Sequence, residues 1–300
     1  MRTIGTSSVQ VPSISLGCMS LGTDRNEAKK IISFALDEGI IHLDTADLYD
    51  FGQNEKIIGE LVKHHRDQIV LTTKVGNHFN AQTESWYWDP SQAYMAEAIK
   101  HSLNRLQTDY IDLYLLHGGT IADPIDETIA GFEQLKQSGM IRAYGISSIR
   151  PNVIKEYMER SNMDAVMMQY SLLDRRPEEW LDILHEHNIS VLARGSLAKG
   201  LLSNKADKYR KQKASEGYVA YDEQELRLIL DKLKEFTLPL QQLAFQYVLK
   251  HPAVASVVVG ASSQEQLREN SPYLHMKPMD DTLYHAIQQI TKSTTYTQHR

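Results

Sequence analysis

The sequence predicts a single α/β domain, residues 1–300, in which eight parallel strands close into a (β/α)8 TIM barrel. Three observations predict it. Short apolar runs alternate with longer amphipathic segments along the chain, the runs number eight, and polar, reactive residues recur at their C-terminal ends. Such alternation points to a parallel sheet. Eight strands close a barrel, whose active site lies at the C-terminal strand ends. An open doubly wound sheet is the alternative reading of the same pattern. Against it, Gly17-Cys18-Met19-Ser20-Leu21-Gly22 lacks the G-x-G-x-x-G spacing that cradles a phosphate in such sheets.

The apolar runs cover residues 13–16, 40–43, 69–73, 110–116, 143–146, 165–169, 190–193 and 256–259. Several are almost continuously apolar, as strands covered on both faces require. Helices are predicted between them, over residues 25–38, 54–64, 90–105, 125–138, 151–160 and 177–187. Asp89-Pro90, Arg150-Pro151 and Arg176-Pro177 place proline where a first helical turn tolerates it. Gly39 and Gly139 stand where left-handed caps would end helices. Two connections are long. Residues 205–221 carry Lys205, Asp207, Lys208, Arg210, Lys211 and Lys213 and read as a mobile insertion. Residues 76–89 carry Trp86, Tyr87 and Trp88 and read as a pocket wall, or as a loop packed on the barrel.

Hydrophobic residues make up 42% and charged residues 23%, near the averages for globular chains. The net charge of -6 leaves no basic footprint for nucleic acid. Cys18 is the one cysteine, so no internal disulfide forms and a reducing compartment is expected. The first residues do not read as a signal peptide, and no apolar run approaches the ~18 residues of a membrane span. A soluble cytoplasmic enzyme is expected. Oligomeric state is not readable.

The chemistry gathers at three neighbouring strand ends. Asp44 follows Ile40-Ile41-His42-Leu43, Tyr49 lies in the loop beyond, Lys74 ends the third run and His117 the fourth. Singly, each has a plainer reading: a cap, a loop tyrosine, a solvated lysine, a structural histidine. Together they form an acid. A phenol is a poor proton donor near its ordinary pKa of about 10, and a nearby ammonium lowers that value. Lys74 is expected to do this, with Asp44 holding Lys74 by a charge-assisted hydrogen bond. His117 would orient a carbonyl and share the proton. The arrangement would bring Tyr49 toward the working pH of a general acid.

Asp44-Thr45-Ala46-Asp47-Leu48-Tyr49, with Asn54-Glu55 and Gly59, resembles the active-site segment of the aldo-keto reductase superfamily. Thr73-Lys74 and Tyr110-Ile111-Asp112-Leu113-Tyr114-Leu115-Leu116-His117 resemble its lysine and histidine segments. Gly145-Ile146-Ser147-Ser148, Met168-Gln169-Tyr170-Ser171-Leu172-Leu173 and the segment from Gly260 to Asn270 match in order. The likeness runs from about Ile4 to Asn270, closest to the bacterial branch that resembles general-stress reductases and potassium-channel β subunits. It implies a catalytic tetrad of Asp44, Tyr49, Lys74 and His117, no metal, and a small-molecule carbonyl substrate. It also implies NADP(H), with NAD(H) as the alternative, bound without a Rossmann fold.

The resemblance further implies that Ser147 and Gln169 hold the nicotinamide carboxamide, with Ser148 where asparagine is commoner. Arg194 stands where an aromatic ring often stacks. Gly195, Ser196, Leu197, Lys199 and Gly200 match the loop across the pyrophosphate, Lys199 above all. Glu269 and Asn270 match the adenine and ribose contacts, on a helix whose N-terminus favours anions. Gly260, Ser262 and Gln266 replace the cations that often grip a 2′-phosphate. Met19 completes the implied contacts. Two rival readings use the same residues: a nicotinamide-cofactor-sensing binding protein, and a barrel aldolase or hydrolase with Lys74 as Schiff base.

Overall fold

The computed structural model describes residues 1–204 and 214–300. Eight parallel strands form a closed barrel: β1 Ile14–Gly17, β2 His42–Asp44, β3 Val70–Val75, β4 Ile111–Leu116, β5 Ile141–Ser147, β6 Ala165–Gln169, β7 Ser190–Arg194 and β8 Val254–Gly260. Each pairs with its neighbour in sequence, and β8 closes onto β1. The outer helices are α1 Arg25–Asp37, α2 Gln53–Val62, α3 Gln92–Leu106, α4 Ile125–Gln137, α5 Pro151–Arg160 and α6 Glu178–Glu186. Helices α7 Glu223–Lys234 and α8 Leu240–Leu249 precede β8, and α9 Gln264–Asn270 and α10 Asp281–Ile290 follow it. The predicted (β/α)8 barrel is what the chain forms.

The two-residue period of a strand sorts side chains between barrel interior and helix layer. On β3, Val70 joins the inner apolar cluster, whereas Leu71 and Val75 join the outer one. On β4, Leu113 and Leu115 face in, and Tyr114 and Leu116 face out. A hairpin of Arg2–Thr3 and Gln10–Val11, which the apolar runs do not announce, carries Ile4, Val9 and Val11 onto the inner cluster. Arg2 donates to the Val254 and Leu249 carbonyls, and the Gly5 amide donates to Ser190 Oγ. These contacts lie at strand beginnings, so the hairpin closes that end and leaves the other open.

Some boundaries differ from expectation. Gly39 and Gly139 do take left-handed backbone, at φ +82° and +78°. Of the three prolines, only Pro151 sits in a first helical turn: α3 starts beyond Pro90 with Ser91 as its cap, and Pro177 itself caps α6. The aromatic connection is no irregular loop but a hairpin, Asn77–Asn80 against Ser85–Trp88. Within the predicted insertion, residues 205–213 lie outside the described residues. Its far end is anchored, since Tyr218 and Tyr221 are buried and exchange backbone hydrogen bonds. The C-terminal tail packs on α5 and α6, where the Asn152 amide donates to the His299 carbonyl and Arg300 pairs with Glu179. Among the described residues no helix is long and apolar enough to cross a membrane.

A buried polar chain crosses four strands on the inner face. Ser256 Oγ lies 2.6 Å from Ser15 Oγ, which lies 2.7 Å from His42 Nδ1, and His42 Nε2 lies 2.7 Å from Thr72 Oγ1. Burial, helped by the Lys74 charge, pushes the His42 imidazole down to about 3. The folded protein therefore keeps His42 neutral while the unfolded chain protonates near 6.5. Stability supplied above that value is lost as pH falls through the window toward 3, at up to about 1.4 kcal/mol per pH unit. Urea unfolding at pH 7, 6 and 5 should show the wild type losing stability faster than His42→Asn. Parallel pH profiles would contradict this.

Candidate active site

Register and period place the first two groups. Gly17 pairs with Asp44 and Asp44 with Thr72 across β1, β2 and β3, so Asp44 and Lys74 meet inside the barrel mouth. Lys74 Nζ donates to Asp44 Oδ1 at 2.7 Å, to the Thr45 carbonyl at 2.7 Å and to the Tyr49 hydroxyl at 3.4 Å. Only 1% of the lysine surface is exposed, so an ammonium without those acceptors would be costly. Tyr49 opens a short 3-10 turn, Tyr49–Gly52, in which Asp50 and Phe51 take left-handed backbone at φ 48° and 50°. His117 follows β4, its amide bonded to the Val75 carbonyl, and its ring meets Tyr49 edge-on at 5.8 Å between centroids.

The electrostatics depart from the sequence expectation at one point. Burial raises the Tyr49 phenol above its usual value, outweighing the pull of Lys74. In this arrangement Tyr49 is not brought toward neutrality; desolvation of the phenolate dominates. Burial draws Lys74 down, but Asp44 and Tyr49 more than offset it, so the ammonium stays charged. Burial raises Asp44 while Lys74 opposes. Burial, then the Lys74 and Arg194 charges, push His117 down to about 3, so its ring is neutral at physiological pH.

Three adjoining cavities surround these groups. A central one of about 510 Å³ holds all four, with Gly17, Met19, Ser20, Ser147, Met167, Arg194, Gly195, Val258 and Gly260. On one side a cavity of about 360 Å³ is lined by Ser196, Leu197, Lys199, Gly200, Gln241, Gln266, Glu269 and Asn270, and shares Ser20, Gly195, Val258 and Gly260 with the first. On the other, a cavity of about 400 Å³ is lined by Trp86, Trp88, Gly118, Thr120, Ser148 and Arg150, and shares His117, Ser147 and Arg194. The first two share four lining residues and so form one continuous trough. Their glycines keep the floor free of side chains: a Cβ at Gly260 would stand 3.3 Å from Ser20 Oγ, and one at Gly195 3.1 Å from Gln169 Cγ. Lys199 offers its ammonium there, with no carboxylate paired to it among the described residues.

The structure sorts the residues nominated from sequence. The four tetrad candidates, Met19, Ser147 and the 194–200 segment's Arg194, Gly195, Ser196, Leu197, Lys199 and Gly200 line the cavities, as do Gly260, Gln266, Glu269 and Asn270. Ser148 faces the aromatic cavity instead, where its hydroxyl accepts from the Arg150 amide. Gln169 lies behind the lining, with Nε2 on Asp174 Oδ2 at 2.8 Å. Ser262 is held off it by Gln266 Oε1, which accepts from its amide and hydroxyl. Of the three aromatics, Trp86 and Trp88 face the cavity, while Tyr87 stacks on His78 on the opposite face. Gly76, at φ +118°, lets Trp88 pack down, since a Cβ there would lie 2.6 Å from the indole. Sequence reasoning passed over Arg150, Ser20 and Gln241, whose neighbours in space are distant in sequence. Among the described residues no cluster of acidic, histidine or cysteine side chains could hold a metal.

Residues 13–292 match the aldo/keto reductase family. The chain is 52% identical to the uncharacterized oxidoreductase YqkF of Bacillus subtilis (strain 168), covering 100% of this chain and 99% of that one. It is 30% identical to an NADH-specific methylglyoxal reductase of Escherichia coli (strain K12), over 92% of this chain and 94% of that one. Among solved structures, the holo form of the aldo-keto reductase AKR11C1 from Bacillus halodurans superposes with a TM-score of 0.95 at 52% identity, covering 100% of this chain and 98% of that one.

Asp47 is a further group that its motif does not explain. It is buried, and neither carboxylate oxygen has a well-aligned hydrogen-bond partner, the Leu48 amide giving only weak support. Its neighbour Glu55 takes the donors instead: Thr73 Oγ1 at 2.6 Å, Arg105 Nε at 2.7 Å and Ser102 Oγ at 3.3 Å. Burial, then repulsion from Glu55, raise Asp47 well above the usual carboxylate range. A folded-state value above the unfolded one gives stability at low pH that is lost as pH rises. Asp47→Asn should therefore unfold at higher temperature than wild type at pH 8, with the gap narrowing toward pH 4. Calorimetry across that range checks it, and a lower melting temperature at pH 8 would count against it.

Proposed function

That the chain belongs to the aldo/keto reductase family is the premise from which we propose its activity: NAD(P)H-dependent reduction of aldehydes and ketones to alcohols, with Tyr49 as proton donor. The observation that carries it is the Lys74 ammonium, bonded to Asp44 and within 3.4 Å of the Tyr49 hydroxyl at the floor of an open cavity. A bound nicotinamide cofactor supplies the hydride; the protein supplies placement and charge. Tyr49, held protonated by burial, gives its proton to the carbonyl oxygen. Lys74 then stabilises the phenolate, and Asp44 keeps Lys74 charged and aimed. Neutral His117 offers hydrogen bonding to the same oxygen as negative charge develops there.

The cofactor is proposed to lie along the joined cavities, with Gly195, Ser196, Leu197, Lys199 and Gly200 at the pyrophosphate and Glu269 and Asn270 at the adenosine. NADP(H) is the proposed form; the Escherichia coli relative is named as NADH-specific, so both nucleotides are compared. A Schiff-base role for Lys74 has no support, since such a lysine needs a lowered pKa and this one is raised.

Oxidation of NADPH and NADH should be measured against a panel of aldehydes for wild type and Tyr49→Phe. Turnover should fall about 10²- to 10⁴-fold in the variant, while nucleotide binding, followed by fluorescence quenching, is retained. Undiminished turnover would remove Tyr49 as the donor. Nucleotide binding with no aldehyde turned over by wild type would favour a cofactor-sensing protein.

A further inference from the structure

We propose that the carbonyl substrates of this site carry a carboxylate or phosphate group, received by the guanidinium groups of Arg150 and Arg194 in the aromatic-walled cavity beside Tyr49. The proposal rests on the carbonyl-reductase reading and specifies its substrate class. Two cavities adjoin the tetrad. With the nucleotide along one, a substrate whose carbonyl reaches Tyr49 and His117 extends into the other, past the shared Ser147 and Arg194.

That second cavity has flat apolar walls from Trp86 and Trp88 and two cations among its lining residues. Arg150 donates through Nη1 to the Gly119 carbonyl at 2.9 Å, and Arg194 reaches only Gln169 Oε1, at 3.4 Å. Neither guanidinium has a carboxylate within ion-pair distance among the described residues, and neither has a further partner. The neighbouring acids are already engaged. Asp123 accepts from Trp88 Nε1 at 3.0 Å, from Thr120 Oγ1 at 2.8 Å and from the Thr120 amide at 2.7 Å, which fixes the wall. Asp174 holds Arg176 and Gln169, and Asp44 holds Lys74. Most other arginines at the barrel periphery are matched: Arg105 to Glu55, Arg142 to Asp112, Arg175 to Glu178. An uncharged substrate would fill the cavity and leave two guanidinium forks partly desolvated and unmatched. A planar carboxylate or a phosphate satisfies such forks in the geometry they favour, while the indoles cover the apolar part of the molecule.

The test uses the purified full chain at saturating NADPH and three aldehydes of one shape: 4-formylbenzoate, 4-formylphenyl phosphate and the neutral methyl 4-formylbenzoate. The ester group withdraws electrons more strongly than the carboxylate, so intrinsic carbonyl reactivity favours the ester and a kcat/KM ratio that favours the acid reports the charge. Wild type should favour at least one anion over the ester by roughly 10- to 100-fold, the usual worth of a charged hydrogen bond, and the preference should shrink with added salt. Which anion leads distinguishes a carboxylate from a phosphate ligand. Arg150→Met should cut the ratio to a few-fold and Arg150→Lys should restore much of it. Arg194→Met, read only as the same within-variant ratio, should also lower it. An ester reduced as well as both anions, or a ratio unmoved by all three substitutions, overturns the proposal and leaves the reductase reading intact. Failure to reduce any of the three with either NADPH or NADH overturns the reductase reading and the proposal with it.

Discussion

An ammonium buried to within 1% of complete enclosure, at the end of a strand in an otherwise largely apolar barrel, constrains everything at the mouth of this protein. Lys74 has three N–H donors and finds three acceptors: a carboxylate, a backbone carbonyl and a phenol. Each acceptor must be held. Asp44 is fixed by strand register. The Thr45 carbonyl is fixed because the Thr45 amide bonds the Thr72 carbonyl at 2.8 Å and its hydroxyl bonds Asn54 Oδ1 at 2.7 Å, whose amide reaches the Cys18 carbonyl at 2.9 Å. Burial of an ion pair is weak evidence for stability, since well-packed apolar residues of similar volume often serve as well. Retaining this one makes sense as a means of holding a phenol beside a cation.

The opposite face of β3 carries a second buried charge cluster one residue away. Thr73 faces outward and donates to Glu55 on α2, which also binds Arg105 and Ser102 on α3. Alternation along one strand therefore ties the catalytic lysine to the interior and the strand itself to two helices. The cost falls on Asp47, which lies between the clusters without a well-aligned donor. Its loop leads directly to Tyr49, so the segment that positions the acid is also one where the fold carries an unsatisfied polar group.

Groups on strand ends were legible in the sequence because each is the polar terminus of an apolar run: Asp44, Lys74 and His117 can be placed by counting residues. What depended on three-dimensional cover was not. The direction of the Tyr49 shift is set by how much water the surrounding loops exclude, which no spacing reports. The tryptophan pair was half legible. Three adjacent aromatics suggested a wall, but separating Trp86 and Trp88 from Tyr87 requires knowing that the segment is a hairpin. Its turn, Ala81-Gln82-Thr83-Glu84, has none of the Asn-Gly or Gly signals that announce one, and Glu84 itself takes φ 49°. Ser148 lines the aromatic cavity alone, and Gln169 and Ser262 stand behind the lining, for the same kind of reason: each is engaged by a neighbour, Arg150, Asp174 or Gln266, that competes for its polar atoms.

The distribution of charge at the mouth follows from this partition. Asp44 and Lys74 neutralise each other, so the pair contributes little net field despite its position. The cations left over are Arg150, Arg194 and Lys199, all lining residues, on a chain whose net charge is -6. A positive mouth on a negative protein is not a consequence of composition; it arises because the nearby acids are spent on Lys74, Arg176 and the Trp88 wall. Glu269, the acid lining the cavity beyond Lys199, stands at the opposite end of the trough from the tryptophans. There a carboxylate suits hydroxyl donors better than phosphates. On the proposed reading, Lys199 meets the pyrophosphate between Glu269 at the adenosine end and Arg194 at the nicotinamide end, which leaves Arg150, at the far end, outside the nucleotide's reach.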